Sequence, residues 1–206
     1  MQAPMPVDCM DAGTISPDQR QAVRHLSAQA RVVLLCVSQA LAAPAYADVY
    51  QTPEAFINEV FAGTPPQAAR IWIRDELARS VRAILGHDVN ALRLVYWGEG
   101  TRTAWILEEI GKEQPITAGI VVNDGAIETV RVLIFRETRG WEVRYPFFTD
   151  QFRGATLADQ ENLDRDIDGI SGATLSVGAL TRLARLALVL HAHSPFARAA
   201  GTQPPG

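Results

Sequence analysis

Hydroxyl-bearing and small residues gather in one stretch of the chain, Asp168-Gly-Ile-Ser-Gly-Ala-Thr174. Its composition predicts a turn that leads into a helix, because glycine and alanine let another group approach the backbone closely. A helix that begins here presents unpaired N–H groups and a partial positive charge, both of which favour a phosphate. Thr174 adds a hydroxyl in the first helical turn. The chemistry that this spacing permits is the binding of a phosphate-bearing group beside a hydroxyl.

The same residues also permit a purely structural interpretation. Ser171 would then cap the helix, and Gly172 and Ala173 would be small only to allow close packing. The residues alone leave both interpretations open.

The familiar catalytic patterns do not occur in the sequence. It has no Gly-x-Gly-x-x-Gly, no phosphate-binding P-loop, no His-Glu-x-x-His and no nucleophile elbow around a serine. The four histidines are scattered, and His87 is expected to cap a helix end at the surface. His191 and His193 form at most a weak metal-binding pair, so we predict no catalytic set and no metal site.

The stretch resembles the flavinylation motif Asp-x-x-Ser/Thr-Gly-Ala-Thr/Ser of the FMN-binding domain family. That family includes flavoprotein subunits of the Rnf and Nqr electron-transport complexes and smaller exported relatives. Five of its seven positions are fixed, and they are matched here by Asp168, Ser171, Gly172, Ala173 and Thr174. The resemblance implies that Thr174 carries FMN through a phosphoester bond. It also implies a separate flavin transferase, which takes the FMN moiety from FAD.

Three further segments are similar to family sequences. Glu137-Thr-Arg-Gly140 followed by Trp141 resembles a Glu-Thr-Pro-Gly segment with a following aromatic residue, and Gln151-Phe-Arg-Gly154 resembles Gln-Phe-x-Gly. Upstream, Gly111-Lys-Glu-Gln-Pro-Ile-Thr117 is typical of the small exported members. The resemblance therefore covers about Leu92 to Leu190. It departs from the family at Arg139, where proline is common, and at Trp141-Glu142, which replaces a Leu-Gly pair.

The resemblance also implies a place for the flavin ring, against the loop that contains Glu137 and Thr138. Backbone N–H groups there, or Lys112, would stabilise negative charge on a reduced flavin, although Lys112 also fits a solvated loop lysine. The aromatic residues from Trp141 to Phe152 fit either a hydrophobic core or a stack on the flavin.

Composition indicates one globular domain. The chain has 206 residues, 48% hydrophobic and 20% charged, and a formal net charge of -4. A chain of this length forms about one domain, and this composition is not that of a disordered protein. A mildly acidic chain lacks the excess of positive charge that nucleic-acid binding needs, so no nucleic-acid partner is expected.

The N-terminal residues resemble a targeting segment. Arg24, His25 and Arg31 precede an apolar run, Val32 to Ala43, which Ala45-Tyr-Ala47 follows as a cleavage site. The run is shorter than the roughly 20 residues that a membrane span needs. We therefore expect residues 1–47 to be an extension and cleaved signal peptide, with a periplasmic or other extracytoplasmic product. A helix packed on the domain is the alternative.

Both cysteines, Cys9 and Cys36, precede the expected cleavage site. The mature chain would hold no disulfide and no thiolate, which agrees with export.

Residues 48–193 are expected to form one α+β domain in which helices pack on an antiparallel sheet. Predicted helices run from Thr52 to Phe61, from Asp75 to Leu85 and from Ala173 to His191. The predicted strands include a short one at 69–73 and two hairpins, 92–97 with 103–107 and 116–122 with 127–136. Asn123-Asp-Gly125 is a strong hairpin signal between the last two. Residues 194–206 are expected to be a flexible tail.

These features favour an electron carrier with covalent FMN, working between redox partner proteins that are membrane-bound or soluble. An oxidoreductase with its own substrate pocket is a second possibility, and a non-redox FMN-binding sensor or scaffold is a third. The sequence does not identify the electron donor or acceptor.

Overall fold

The structure, a computed structural model, describes residues 47–88, 92–159 and 161–198. Six antiparallel strands form one sheet in the order β1-β6-β5-β4-β3-β2. The strands are β1 Asp48–Val49, β2 Ala69–Trp72, β3 Arg93–Glu99, β4 Arg102–Ile110, β5 Pro115–Asn123 and β6 Ala126–Phe135. The expected targeting segment at 1–46 lies outside the described residues.

Four α-helices within the described residues accompany the sheet, so the predicted α+β fold is confirmed. They are α1 Pro53–Val60, α2 Asp75–Leu85, α3 Pro146–Thr149 and α4 Thr174–Ala192. The Thr52 hydroxyl caps α1 by accepting from the Ala55 N–H at 3.2 Å. Gly86 ends α2 in the left-handed conformation, with φ of 80°. The predicted helix at 75–85 therefore has the observed bounds.

The β5–β6 hairpin turns at the predicted residues. Asn123 pairs with Ala126, which leaves a two-residue loop. Asp124 and Gly125 have φ of 51° and 75°, the positive values that such a loop requires to match the twist of its strands. This hairpin matters for the site because β5 begins beside one wall of the cleft described below and β6 ends beside another.

The two faces of the sheet are covered unequally. On the inner face, α4 packs over β4 and β5 and against α2, and the fully buried Trp105 and Leu183 belong to this large core. On the outer face, α1 is the helix of the described residues that covers the strands, with the ring of Phe56 directly over Gly119. A side chain at position 119 would occupy the place of this ring, since its Cβ would lie 2.6 Å from Phe56.

Helix α4 is the central element of the inner core. Among the described residues it is the helix whose length and apolar composition would suffice to cross a membrane, with mean hydropathy 1.4. In the structure, 67% of that apolar window is buried inside the protein. Its apolar character is thus accounted for by packing against the sheet and α2.

Two details differ from the sequence-based expectations. The sheet has six strands rather than four or five, because β1 is a two-residue strand on the edge beside β6. The packed domain also extends beyond residue 193, since Pro195–Arg198 form a 3₁₀ turn. Phe196 in this turn packs edge-on against Tyr96, with ring centroids 6.1 Å apart. Residues 199–206 of the expected tail lie outside the described residues.

Candidate functional site

Three segments that are distant in sequence line one cleft of about 620 Å³. They are residues 112–113 in the β4–β5 turn, residues 137–139 after β6, and residues 172–176 at the start of α4. Six of the eight residues predicted for the site line this cleft: Lys112, Glu137, Thr138, Gly172, Ala173 and Thr174. Ser171 and Asp168 are not among its lining residues.

Glu137 holds the β4–β5 turn in place. Its Oε1 atom accepts hydrogen bonds from the backbone N–H groups of Lys112 at 2.5 Å, Glu113 at 2.6 Å and Gln114 at 3.0 Å. Three successive N–H groups directed at one oxygen form an anion-binding nest. Glu137 is therefore a structural anchor of the cleft wall, a role that its sequence-based assignment to flavin binding did not include.

This anchoring depends on the charge of Glu137. Desolvation by partial burial opposes ionisation, but the N–H donors of Gln114, Glu113 and Lys112 together outweigh it, so the pKa of Glu137 lies below its ordinary value. The carboxylate is thus ionised at neutral pH, and it fixes the turn in its anionic form.

Gly140 brings the second wall against the helix. Its φ is 85°, and a Cβ built on it would lie 2.7 Å from the Ser176 hydroxyl oxygen and 3.3 Å from the Ala173 Cβ. Only glycine meets both the positive φ and the lack of space without strain. The residues that precede it, Thr138 and Arg139, therefore lie beside the first turn of α4.

The first turn of α4 has open backbone donors. Ala173 is the N-cap residue and no side chain caps this end, so the prediction that Ser171 caps the helix is wrong. The Ala173 N–H donates to the Ile170 carbonyl at 3.0 Å, and the Val177 N–H makes the first helical bond, to Ala173, at 2.9 Å. The N–H groups of residues 174–176 between them have no intrahelical acceptor.

Two exposed hydroxyls line the cleft, those of Thr138 and Thr174. Ser176 also lines the cleft but is only 4% exposed, and its hydroxyl lies against Gly140. Ser171 is exposed but outside the cleft lining. Of these hydroxyls, that of Thr174 combines exposure with a position in the helical turn whose N–H groups are open.

Some of the charged side chains that line the cleft form an ion pair with each other, and one does not. Lys112 forms an ion pair with Glu113, with Nζ and Oε1 3.0 Å apart, and both side chains are 69% exposed. Arg139 is exposed, and no carboxylate of the described residues lies within salt-bridge distance of it. Arg139 is thus the cation of the cleft that has no carboxylate partner. One sign of it was visible in the sequence, where arginine stands at a position that is commonly proline in the family.

Asp168 lies in an exposed turn before the helix. Its backbone N–H donates to Gln151 Oε1 at 2.7 Å, which ties the turn to the residue beside Phe152. Nearby, Arg165 and the Thr156 N–H bond the carboxylate of Asp164 and hold its pKa at about 2. Within the described part of the chain, the Asp168 carboxylate makes no hydrogen bond or ion pair. Its side chain therefore has no visible structural role.

The aromatic residues from 141 to 152 divide into two groups. Phe148 and Phe152 are fully buried and pack edge-on in the core. Trp141, Tyr145 and Phe147 are 41%, 38% and 63% exposed, and none of them lines the cleft. The core interpretation therefore holds for the first group, whereas the second forms a separate surface.

The three histidines within the described residues make structural contacts. His191 is 2% exposed and lies 2.8 Å from the Thr103 hydroxyl, and its burial lowers its pKa. His193 lies 2.9 Å from the Val189 carbonyl. The ring of His87, which is at the surface, contacts the buried carboxylate of Glu109 at 3.1 Å. Within 47–88, 92–159 and 161–198, no group of three or more acidic, histidine or cysteine side chains could hold a metal ion.

The cleft fits a phosphate-bearing cofactor. Its volume lies within the range of about 300–1,000 Å³ that is usual for small-molecule sites. Open helical N–H groups, an exposed hydroxyl and an unpaired guanidinium are donors of the kind that bind a phosphate. Fold and site together define a small α+β domain whose cleft at the start of the last long helix suits a phosphate-bearing cofactor.

A model of the FMN-binding domain family matches residues 111–189. The chain carries an FMN-binding domain, and the resemblance drawn from its motifs is confirmed. The matched range begins in the β4–β5 turn and ends in α4, so it includes all three walls of the cleft. No curated protein matches the chain.

Proposed function

We propose that the protein is an exported flavoprotein that holds FMN covalently on Thr174 and transfers electrons between partner proteins. The observation that carries this proposal is the position of the Thr174 hydroxyl. It is exposed within the cleft of the FMN-binding domain, in the turn whose N–H groups lack helical acceptors. Thr174 also occupies the acceptor position of the flavinylation motif.

The proposed attachment is a phosphoryl transfer. The Thr174 hydroxyl loses its proton and attacks the FMN phosphorus of FAD; a phosphoester bond forms as the pyrophosphate bond breaks and AMP leaves. The product phosphodiester keeps one negative charge. The N–H groups of residues 174–176 and the guanidinium of Arg139 are the groups of this chain that stabilise that charge.

Covalent FMN supplies one- and two-electron chemistry, which no side chain of this protein provides. The contribution of the protein is to fix the phosphate, to keep the cleft open to a partner and to set the electrostatic field. Arg139 and the positive end of α4 favour added negative charge in the cleft. Lys112 contributes less than the sequence indicated, because Glu113 offsets its charge at 3.0 Å.

An electron carrier agrees with the acidic groups of the cleft better than an enzyme does. Both carboxylates that line it are committed, Glu137 to three backbone N–H groups and Glu113 to Lys112. A general acid or base would need an uncommitted group in reach of a substrate. The alternative function is a non-redox FMN-binding sensor or scaffold, which the same cleft would serve.

Export and a flavin transferase complete the proposal. The positive flank, the apolar run at 32–43 and Ala45-Tyr-Ala47 support export by a cleaved signal peptide. N-terminal sequencing of protein from the native compartment should give Asp48 as the first residue. A cytoplasmic product that retains Cys36 would contradict export.

The attachment is tested by co-expression with a flavin transferase, followed by intact mass and peptide mapping. Thr174→Val keeps the shape of the side chain but removes the oxygen, so the FMN adduct and the in-gel flavin fluorescence should disappear. Thr174→Ser should retain some attachment. Thr138→Val is the matched control, because it removes the other exposed hydroxyl of the same cleft. An adduct in Thr174→Val, or one mapped to Thr138, Ser171 or Ser176, would show that the assignment is wrong.

Two further measurements separate the candidate functions. Expression without a transferase should give protein that is colourless or holds only loosely bound flavin, and pure protein with FAD and magnesium should stay unmodified. The flavinylated protein should then be reduced and reoxidised by small one-electron carriers without consuming any organic substrate. A flavin that resists reduction would favour the sensor or scaffold instead.

A further inference from the structure

A cluster of arginine and apolar residues lies on the outer face of the sheet, far in sequence from the flavin motif. Arg70 and Trp72 of β2 are cross-strand partners of Val95 and Arg93 of β3, respectively. Ile71 between them faces the core, so these four side chains share the opposite face. We call this set, with Arg74, the arginine–tryptophan face.

Apolar groups on this face are open to solvent. Trp72 is 48% exposed and Val95 is 41% exposed, and the neighbouring Leu92 is 78% exposed. Helix α1 covers only the part of the outer face around Ala104 and Val121. Strand β2 is the last strand in the sheet order, so no strand of the described residues lies beside its outer edge.

The guanidinium groups are arranged around the indole. The Arg74 and Arg93 guanidinium carbons lie 4.5 Å and 5.8 Å from the centre of the Trp72 ring. These are cation–π distances, so two positive charges lie beside the exposed ring.

The positive charge of this face is not offset by neighbouring acids. Among the described residues, no carboxylate lies within salt-bridge distance of Arg70, Arg74 or Arg93. Arg153, by contrast, is an exposed arginine with a partner, 3.2 Å from Asp150. The face is therefore locally cationic on a chain whose net charge is -4.

We infer that the arginine–tryptophan face docks on a membrane surface that contains anionic lipid headgroups. Guanidinium groups match phosphate geometry, and tryptophan is enriched where polar headgroups meet acyl chains. Exposed apolar groups surrounded by cations suit that boundary, since the apolar groups can contact the acyl chains while the cations contact the phosphates. The single exposed ring among the three arginines offers no row of stacking platforms of the kind that single-stranded nucleic acids use.

The expected contribution of each arginine is about fivefold in vesicle affinity, which corresponds to about 1 kcal/mol for each basic residue near an anionic surface. Replacing all three arginines by glutamine should therefore weaken binding by about a hundredfold. Added salt should weaken binding of the unchanged protein as well.

The test is hydrogen exchange of the full chain with vesicles of equal parts phosphatidylglycerol and phosphatidylcholine. Local exchange is the readout because the apolar run at 32–43 can enter a bilayer by itself. Exchange at 69–74 and 92–96 should slow with these vesicles but not with phosphatidylcholine alone. The combined Arg70→Gln, Arg74→Gln and Arg93→Gln variant should lose this protection, and Arg153→Gln should keep it.

Unchanged exchange at 69–74 and 92–96 with the anionic vesicles would overturn the inference. So would equal protection in the triple variant, or protection by a soluble acidic protein or single-stranded DNA but not by vesicles. The experiment uses protein without flavin, and thermal unfolding of each variant confirms that it is folded. Its outcome is therefore independent of whether Thr174 carries FMN.

Discussion

The two ends of helix α4 have opposite relations to solvent. In its first turn Thr174 and Leu175 are exposed, and no side chain caps the open N–H groups. Two turns later Leu183 is fully buried, and Leu190 near the other end is also fully buried. One helix thus contributes core packing along most of its length and exposed groups of the cleft only at its start.

This difference indicates how stability and function are separated in the domain. The long buried part fixes the direction of the helix, and the fixed direction holds the first turn against Gly140 and the cleft. A change in the buried part should affect folding, whereas a change in the first turn should affect the cofactor. The following predictions test that separation.

The largest effect on stability is expected from Leu183→Ala. The side chain is fully buried between α4 and the sheet, so its removal should lower the free energy of unfolding by about 2–5 kcal/mol. Urea denaturation measures this change. Leu175→Ala is the matched control on the same helix, and because Leu175 is 54% exposed it should change stability by less than about 0.5 kcal/mol. Similar losses in both variants would contradict the division of the helix.

The next effect concerns the ion pair that joins the middle of α4 to β4. Arg182 Nη2 lies 2.9 Å from Glu109 Oε1, and the Glu109 side chain is 4% exposed. Glu109→Gln leaves Arg182 without its counter-charge, so we expect a loss of about 1–3 kcal/mol. Glu128→Gln breaks the more exposed pair with Arg102, and it should cost about 1 kcal/mol or less. Equal losses in urea denaturation would show that burial of the pair does not matter.

A smaller and pH-dependent effect is expected from Glu137→Gln. Because the folded-state pKa of Glu137 lies below its ordinary value, its ionisation stabilises the fold above pH 4.5 and ceases to do so as the pH falls through the folded pKa. Glutamine removes the charge, so the variant should lose about 1 kcal/mol at neutral pH. Denaturation midpoints at pH 7 and pH 3 should differ less in the variant than in the unchanged protein. Glu113→Gln, which bonds no backbone N–H group of the turn, serves as the control.

The smallest effect on stability is expected from Asp168→Ala. Its carboxylate is exposed, and the bond that ties this turn to Gln151 uses the backbone N–H, which alanine keeps. The unfolding free energy should change by less than about 0.5 kcal/mol. Flavinylation by the transferase should nevertheless fall, as expected for a residue of the recognition motif. A stability loss of about 3 kcal/mol would mean instead that Asp168 is structural.

Local patterns predicted the elements that depend on local chemistry. The helix at 75–85 begins with acids and ends at Gly86, and the hairpin turn at Asn123-Asp-Gly125 needs positive φ; both follow from residues adjacent in sequence. The turn into helix α4 was predictable for the same reason. The two-residue strand β1 was not, because it exists only through its pairing with β6.

The contacts that shape the cleft depend on residues far apart in sequence. Glu137 meets the N–H groups of residues 112–114 from 23 to 25 positions away, and no local pattern predicts which glutamate will do so. Lys112 was one of the groups expected to stabilise a reduced flavin, but its neighbour Glu113 pairs with it. The cation without a carboxylate partner, Arg139, became visible only when the three walls were assembled.

The contact between Gly140 and Ser176 has a consequence for how the domain can diverge. Two features disfavour other residues at position 140. Its φ is 85°, and the Ser176 hydroxyl oxygen lies 2.7 Å from where a Cβ would stand. Position 139 beside it is exposed and carries no such restriction. Single mutations can therefore exchange the charge of one wall while the path of the backbone stays the same. If the cleft holds FMN as proposed, such an exchange at position 139 would shift the potential of the flavin without moving the wall beside it.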